Sequence, residues 1–197
     1  MSGKKVVVLG GTGFVGSRVV SALLARGAAV VSISRRGAAG PGPSAATGNL
    51  LRVAGDAGRP DGWSSHLVGA SGLVSCVGAF ASTQQAMRDA CGTANVEAIR
   101  AARAAGVPRL AFVSAHDFGP PVSAALSGYY AGKRDVEAEM GVGRDGSGGE
   151  AGSNPSSAAR GLVLRPGMIY GASTRAGVGR QGRAPGSSLA RSGRGVC

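Results

Sequence analysis

Apolar positions recur along this chain in two alternating rhythms. Val6, Val7, Val8 and Leu9 form a continuous run, the pattern of a strand buried on both faces of a parallel sheet. From Phe14 to Arg26, Val15, Val19, Val20, Leu23 and Leu24 fall at helical spacing, and Gly27 supplies the C-terminal stop. Ala28 to Ser34 restores a strand and completes a βαβ unit. Further strands are predicted at Leu50–Ala54, Leu73–Val77, Leu110–Ser114 and Gly161–Leu164, and further helices at Thr93–Ala105 and Tyr129–Met140. On the last helix Arg134, Asp135, Glu137 and Glu139 are expected on the wetter sides. Strands alternating with helices give an α/β fold, a doubly wound parallel sheet of Rossmann-like type, with ligands at the carboxyl ends of the strands.

Composition adds boundaries to this picture. The length of 197 residues suits one folded unit. Glycine is dense in 37–48, 141–153 and 171–195, which read as loop or disorder. The expected organisation is a domain over residues 1–171 and a disordered Gly/Arg-rich tail over 172–197. The tail carries Arg175, Arg180, Arg183, Arg191 and Arg194 with no acidic residue, and its large apolar residues are Val178, Leu189 and Val196. Two explanations stand for it: an altered or truncated reading of a longer protein, or a basic tail for an acidic partner. The net charge of +12 is otherwise scattered, so nucleic acid is not an expected partner. Cys76, Cys91 and Cys197 have no C-x-x-C spacing, which points to a reducing compartment and no metal site. No apolar stretch approaches the ~20 residues of a membrane span, and no cleavable leader is read at the start.

Chemistry enters at the first strand–helix junction. Gly10-Gly11-Thr12-Gly13-Phe14-Val15-Gly16 is a G-x-x-G-x-x-G loop between the predicted strand and helix, the context a dinucleotide-binding fingerprint requires. Gly10 permits the turn, Gly13 lets backbone approach a pyrophosphate, and Gly16 lets the helix pack on the sheet. The helix N-terminus faces the negative charge. At the end of the second strand, where NAD-preferring sites place a carboxylate, the chain has Ser34-Arg35-Arg36. Arg35 or Arg36 suits a 2′-phosphate, which favours NADP over NAD; a solvated pair of arginines is the plainer account. Asp56, after the third strand, suits the adenine amino group or simple solvation.

The motifs GGTGFVG (10–16), GD (55–56), GTANVEAIRAARAAGVPRLAFVS (92–114), Y-x-x-x-K (129–133) and RPGMIYG (165–171) together resemble the short-chain dehydrogenase/reductase superfamily in its extended and atypical branch. SAHDFG and YYAGKRDVEAEM look like the group that includes the accessory dehydrogenase-like subunit of respiratory complex I and proteins associated with coenzyme Q synthesis. The resemblance implies a catalytic set of Ser114, Tyr129 and Lys133. Tyr129 would exchange a proton with a carbonyl or hydroxyl, Ser114 would hold the substrate oxygen, and Lys133 would favour the ionised phenol and hold the nicotinamide ribose. Tyr130 is a competing phenol. Asn95 would brace backbone near the site or serve as a polar core residue. Val77 and Gly78 would lie against the cofactor, and Pro166, Gly167 and Met168 would flank its nicotinamide end. The implied partner is a small carbonyl, quinone-like or isoprenoid substrate; a non-catalytic accessory role in a respiratory or quinone-synthesis assembly, in a mitochondrion or chloroplast, is the alternative.

Overall fold

A computed structural model describes residues 3–37, 48–141 and 159–171. The Gly-rich stretches lie largely outside these residues, and the basic tail entirely so. Strands β1 (Lys5–Leu9), β2 (Ala29–Ser34), β3 (Leu50–Ala54), β4 (Gly72–Ser75), β5 (Arg109–Val113) and β6 (Arg160–Leu164) form one sheet in the order β3-β2-β1-β4-β5-β6. Every pairing is parallel. The order reverses at β1, so a crevice opens between β1 and β4 at their carboxyl ends.

Alternation along β1 assigns the two faces. Val6 and Val8 join Val20, Val30 and Leu50 beneath α1 (Phe14–Ala25), while Val7 and Leu9 join the larger core. That core holds Trp63, Leu67, Ile99, Ala102, Phe112, Val136 and Met140. It is roofed by α3 (Ala94–Ala104) and α5 (Ser127–Glu139). Trp63 lies between two 3-10 turns, Pro60–Gly62 and Ser64–Leu67, and its indole N–H donates to the Asp56 carbonyl at 2.7 Å.

The predicted strands and long helices all occur, with small differences at their ends. Strand β4 stops at Ser75, where the Ser75 hydroxyl receives the Val77 N–H at 3.4 Å and the chain leaves the ladder. Helix α5 starts at Ser127, earlier than expected, because the Gln84 side chain accepts the Gly128 N–H at 2.8 Å. Two short helices are unforeseen, α2 (Gln84–Arg88), capped by Thr83, and α4 (Val122–Ala125). Between α2 and α3 a single π-helical turn spans Asp89–Thr93.

Helix α5 crosses this π-turn at very short range. A Cβ on Gly132 would lie 2.7 Å from the Gly92 nitrogen and 2.8 Å from the Arg88 carbonyl oxygen. One turn earlier, a Cβ on Gly128 would overlap the Gln84 carbonyl. Small residues at i and i+4 thus let two backbones touch where side chains usually intervene.

The edge strand β6 is tied to α5 by charge. The Arg165 guanidinium grips Glu137 with both carboxylate oxygens accepting, Nε to Oε1 at 3.0 Å and Nη2 to Oε2 at 2.8 Å. Glu137 is 7% exposed, which corrects the expectation that it faces water. Position 137 lies two turns on from Tyr129 and one from Lys133, on the inward face. Burial pushes its pKa up, but hydrogen bonds from Arg165 and Ser114 and the charges of Arg165 and Arg134 outweigh it, and the net shift is downward.

Two predictions arise from this packing. Gly132→Ala should lower stability by about 1–3 kcal/mol through overpacking, read as a fall in urea midpoint. Gly62→Ala, with nothing within 4 Å of the added methyl, should change it by less than about 0.5 kcal/mol. Arg165→Met should cost on the order of 2 kcal/mol at neutral pH, below the value for a fully buried pair because Arg165 remains 30% exposed. The folded pKa of Glu137 lies below its unfolded value of about 4.3. The pair therefore stabilises above that value and loses its contribution as pH falls through the folded pKa. The gap between wild type and Arg165→Met, measured by urea midpoints at pH 7 and in acid, should narrow as the pH drops.

Candidate functional site

The glycine loop follows β1, Arg35 and Arg36 follow β2, Asp56 follows β3, Val77 and Gly78 follow β4, Ser114 follows β5 and Pro166–Met168 follow β6, all at the carboxyl edge of the sheet. Gly10 follows β1 with φ +73°, a conformation that an L side chain rarely adopts. Its N–H donates to the Ile33 carbonyl at 2.8 Å, and an added Cβ would lie 3.1 Å from the Cys76 carbonyl. The loop is thus pinned between the ends of β2 and β4. Gly13 donates its N–H to the Gly10 carbonyl at 2.9 Å and caps α1. A Cβ on Gly16 would overlap the same carbonyl, and one on Gly11 would overlap the Ser32 hydroxyl. Gly11 is thus a fourth required glycine that the G-x-x-G-x-x-G spacing does not mark.

The loop fits a pyrophosphate on the structure's own terms. Helix α1 has no side-chain N-cap and no acidic residue in its first turn. The amides of its first turn, Phe14, Val15 and Gly16, have no carbonyl one turn back to bind. Thr12, Phe14 and Val15 are half-buried along this loop. Arg18, unremarked in the sequence, lies over the Phe14 ring at 4.0 Å and donates to the Phe14 carbonyl at 2.7 Å. Its cation adds to the positive end of the helix dipole.

Arg35 and Arg36 form an exposed turn directly after β2. The register pairs Ser34 with Ala54, and Gly55 donates to the Ser34 carbonyl at 3.0 Å. The turns after β2 and β3 therefore start side by side. Asp56 is exposed, with Oδ1 accepting the Gly58 N–H at 3.0 Å.

At the ends of β4 and β5 the polar groups converge on Lys133. Lys133 is 5% exposed, and its ammonium donates to the Val113 carbonyl at 2.7 Å and the Val77 carbonyl at 3.4 Å. A Cβ on Gly78 would touch it at 3.4 Å. Burial lowers the Lys133 pKa, with nearby Cys91, Cys76 and Glu137 acting in the opposite direction. Burial also raises the Cys76 thiol to about 11, against the pull of Lys133. Asn95 is fully buried and joins the two sides: it accepts from Ser75 at 2.5 Å and donates to the Cys91 and Val77 carbonyls at 2.9 and 3.4 Å. It is both a core residue and the brace of the β4 end.

Tyr129 is half-buried, stacked on Phe80 at 5.1 Å and edge-on to Tyr130 at 5.3 Å. Its ring centre lies 5.7 Å from the Lys133 nitrogen. The competing phenol, Tyr130, is buried. Burial raises the Tyr129 pKa, helped by Cys91 and Tyr130, so the expected lowering by Lys133 does not appear in this arrangement. Ser114 is buried, and its hydroxyl donates to Glu137 at 2.5 Å. Sequence reasoning missed Glu137 and Arg165 as partners; the i, i+4, i+8 spacing of Tyr129, Lys133 and Glu137 was the available signal.

After β6, the Pro166 carbonyl accepts the His116 N–H at 2.9 Å, and Gly167 comes within 4.0 Å of the Phe118 ring if a Cβ is added. Met168 is 82% exposed. His116 is exposed and set edge-on against Phe118 at 5.1 Å. Among the described residues no group of three or more His, Cys, Asp or Glu could hold a metal ion, and no helix is long and apolar enough to cross a membrane.

A family model described as NAD(P)H-binding matches residues 10–141. An uncharacterised chloroplastic protein of Arabidopsis thaliana is 39% identical over 168 residues, covering 85% of this chain and 51% of its own. The chain thus spans about half the length of that relative. A short-chain dehydrogenase/reductase superfamily protein from Agrobacterium tumefaciens with bound NAD superposes with TM-score 0.59 at 22% identity, over 82% of this chain and 48% of its own. An oxidoreductase of the same family from Burkholderia thailandensis gives TM-score 0.61 at 21% identity, over 85% of this chain and 70% of its own. Those likenesses rest on the fold, whereas the family model runs through the glycine loop, Lys133 and Glu137: the chain belongs to the NAD(P)H-binding family of Rossmann-fold proteins.

Proposed function

We propose that this chain binds NADP(H) in preference to NAD(H) and supports hydride exchange with a carbonyl or quinone-like substrate. The observation that carries the reading is the placement of Tyr129 and Lys133, one turn apart on α5, at the carboxyl ends of β4 and β5 beside the glycine loop. The cofactor, when bound, supplies or accepts the hydride. Gly10, Gly11, Gly13 and Gly16 leave room for its pyrophosphate, and the first-turn amides of α1 offer it donors. Arg35 and Arg36 would pair with a 2′-phosphate, and no carboxylate at Ser34–Arg36 opposes that charge. Asp56, Val77 and Gly78 would line the adenine and ribose sides, and Pro166, Gly167 and Met168 the nicotinamide end.

Tyr129 would act as the acid in the reductive direction. Its raised pKa keeps the phenol protonated near neutrality, the form able to deliver a proton to a substrate oxygen. Lys133, fixed by two backbone carbonyls, would hold the ribose and present a positive charge beneath the phenol.

A second reading, a cofactor-stabilised accessory protein without turnover, is favoured by one feature. Lys133, Asn95 and Ser114 are already hydrogen-bonded within the chain, so the fold does not depend on a substrate to satisfy them. The chloroplastic relative favours a plastid setting for either reading.

Thermal shift separates the cofactors. NADPH should raise the melting temperature more than NADH at equal concentration, approaching about 2.7 kcal/mol of stabilisation at one hundred times Kd. The double substitution Arg35→Glu/Arg36→Glu should reverse the order; a shift with neither nucleotide would remove the cofactor reading. Turnover is tested by NADPH consumption with 9,10-phenanthrenequinone as an aromatic diketone probe. Tyr129→Phe should cut the rate at least ~100-fold and leave the NADPH-induced shift intact. A shift without consumption in the wild type supports the accessory role.

A further inference from the structure

Tyr129 is half-buried, and no hydrogen bond among the described residues reaches its hydroxyl. The Lys133 ammonium donates to two backbone carbonyls and stands 5.7 Å from the centre of the phenol ring. A tyrosine in a helix keeps two χ1 wells, near 180° and −60°, so packing decides along which line this phenol points. Tyr130 meets it edge-on, but as the next residue of α5 it moves with the same helix. Phe80 comes from elsewhere. It belongs to the loop after β4 and lies nearly parallel to the phenol, with 5.1 Å between ring centres and 18° between planes.

Phe80 is held from behind. Residues 76–82 have no regular structure, yet the residues just before Phe80 are tied to buried groups. The Val77 carbonyl accepts from Asn95 and Lys133, both at 3.4 Å. A Cβ on Gly78 would lie 3.4 Å from the Lys133 nitrogen and 3.8 Å from the Cys91 sulfur. The same sulfur, in the π-turn, accepts the Ala79 N–H and donates to the Ala79 carbonyl, each at 3.4 Å. The ring that follows leaves the core and is 72% exposed, so it adds little to the apolar area buried on folding. Its ring partner among the described residues is Tyr129.

We propose that Phe80 is a positioning residue for Tyr129, whose stack selects one orientation of the phenol at the carboxyl ends of β4 and β5. The consequence for turnover rests on the oxidoreductase reading. A stacked pair of this kind shifts a two-well population by roughly 2- to 10-fold. A phenol that points productively for a smaller fraction of the time lowers kcat by that fraction. Loss of a plain substrate contact would instead raise KM and leave kcat alone.

The test uses the full chain, uniformly labelled with ¹³C and ¹⁵N. The N–Cγ and C′–Cγ couplings of Tyr129 report its χ1 population. They should show one well in the wild type, averaged values in Phe80→Leu, which keeps an apolar side chain and removes the ring, and one well again in Phe80→Trp, which keeps a ring. With NADPH and 9,10-phenanthrenequinone, Phe80→Leu should lower kcat roughly 2- to 10-fold with a smaller change in KM, and Phe80→Trp should restore it. Position 80 is exposed, so both variants should keep the wild-type melting temperature. Single-well couplings in Phe80→Leu overturn the proposal, as does an unchanged kcat in a protein whose wild type turns over. The couplings need no reaction, which keeps the two ideas apart. Averaged couplings in Phe80→Leu, in a protein that consumes no NADPH, keep the positioning role and remove the turnover reading. Normal consumption with single-well couplings does the reverse.

Discussion

The site depends on the backbone contact between Gly132 of α5 and Gly92 of the π-turn. A helix with ordinary side chains at the crossing would ride 8–10 Å from its neighbour, axis to axis. Without them α5 lies backbone to backbone against the π-turn, and its inward face carries Tyr129, Lys133 and Glu137 toward the ends of β4 and β5. The π-turn serves the same contact, since an extra residue in the turn re-aims Cys91 and Gly92 against α5. Cys91 then lies against the loop after β4, exchanging 3.4 Å contacts with the Ala79 N–H and carbonyl. A packing constraint between two glycines thereby fixes the reach of a lysine.

Bringing an ammonium into that position costs desolvation, and the cost is met locally. Lys133 takes the carbonyl of Val113, the last residue of β5, and that of Val77, two residues past the end of β4 and shared with Asn95. The same logic applies to Glu137, whose charge is met by Arg165 and the Ser114 hydroxyl. These two opposite charges stand one turn apart on one helix face, and each is supported by its own partners. Removing one partner leaves a buried charge, which is why single substitutions here should cost more than the pairs are worth in isolation.

Much of this was legible in the sequence, and the reasons are physical. The β-branched run before Gly10 and the helical spacing after it define the first βαβ unit, because a parallel sheet buries both faces and leaves a continuous apolar run. Tyr129 and Lys133 were legible as a four-residue spacing. The π-turn was not, since Asp89–Thr93 has no composition that distinguishes it from an α-turn, and α2 is too short to show a period. Glu137 was misread for a different reason. A carboxylate beside Arg134 and Asp135 looks solvated until Arg165, distant in sequence, is brought against it by β6. Gly11 escaped because its neighbour, Ser32, belongs to the next strand, and its requirement for a missing side chain is tertiary.

The chemistry of the site is further shaped by what its polar groups already hold. In a pocket whose donors are unpaired, a substrate is recognised by completing bonds the protein lacks. Here Asn95 donates to backbone carbonyls, Ser114 donates to a carboxylate and Lys133 commits two of its three protons, so an arriving oxygen would share those protons, take the third proton of Lys133 or meet the half-exposed phenol. Sharing is weaker than completing, because each shared proton is divided between two acceptors. On the proposed function, selectivity among substrate oxygens would fall on Lys133 and on Tyr129, whose ring is fixed by Phe80 on one side and Tyr130 on the other. Phe80 itself is 72% exposed, so the side chain that orients the phenol is also the one a substrate would meet first. On the proposed function, orientation of the acid and contact with an apolar substrate surface would thus be carried by the same stacked pair.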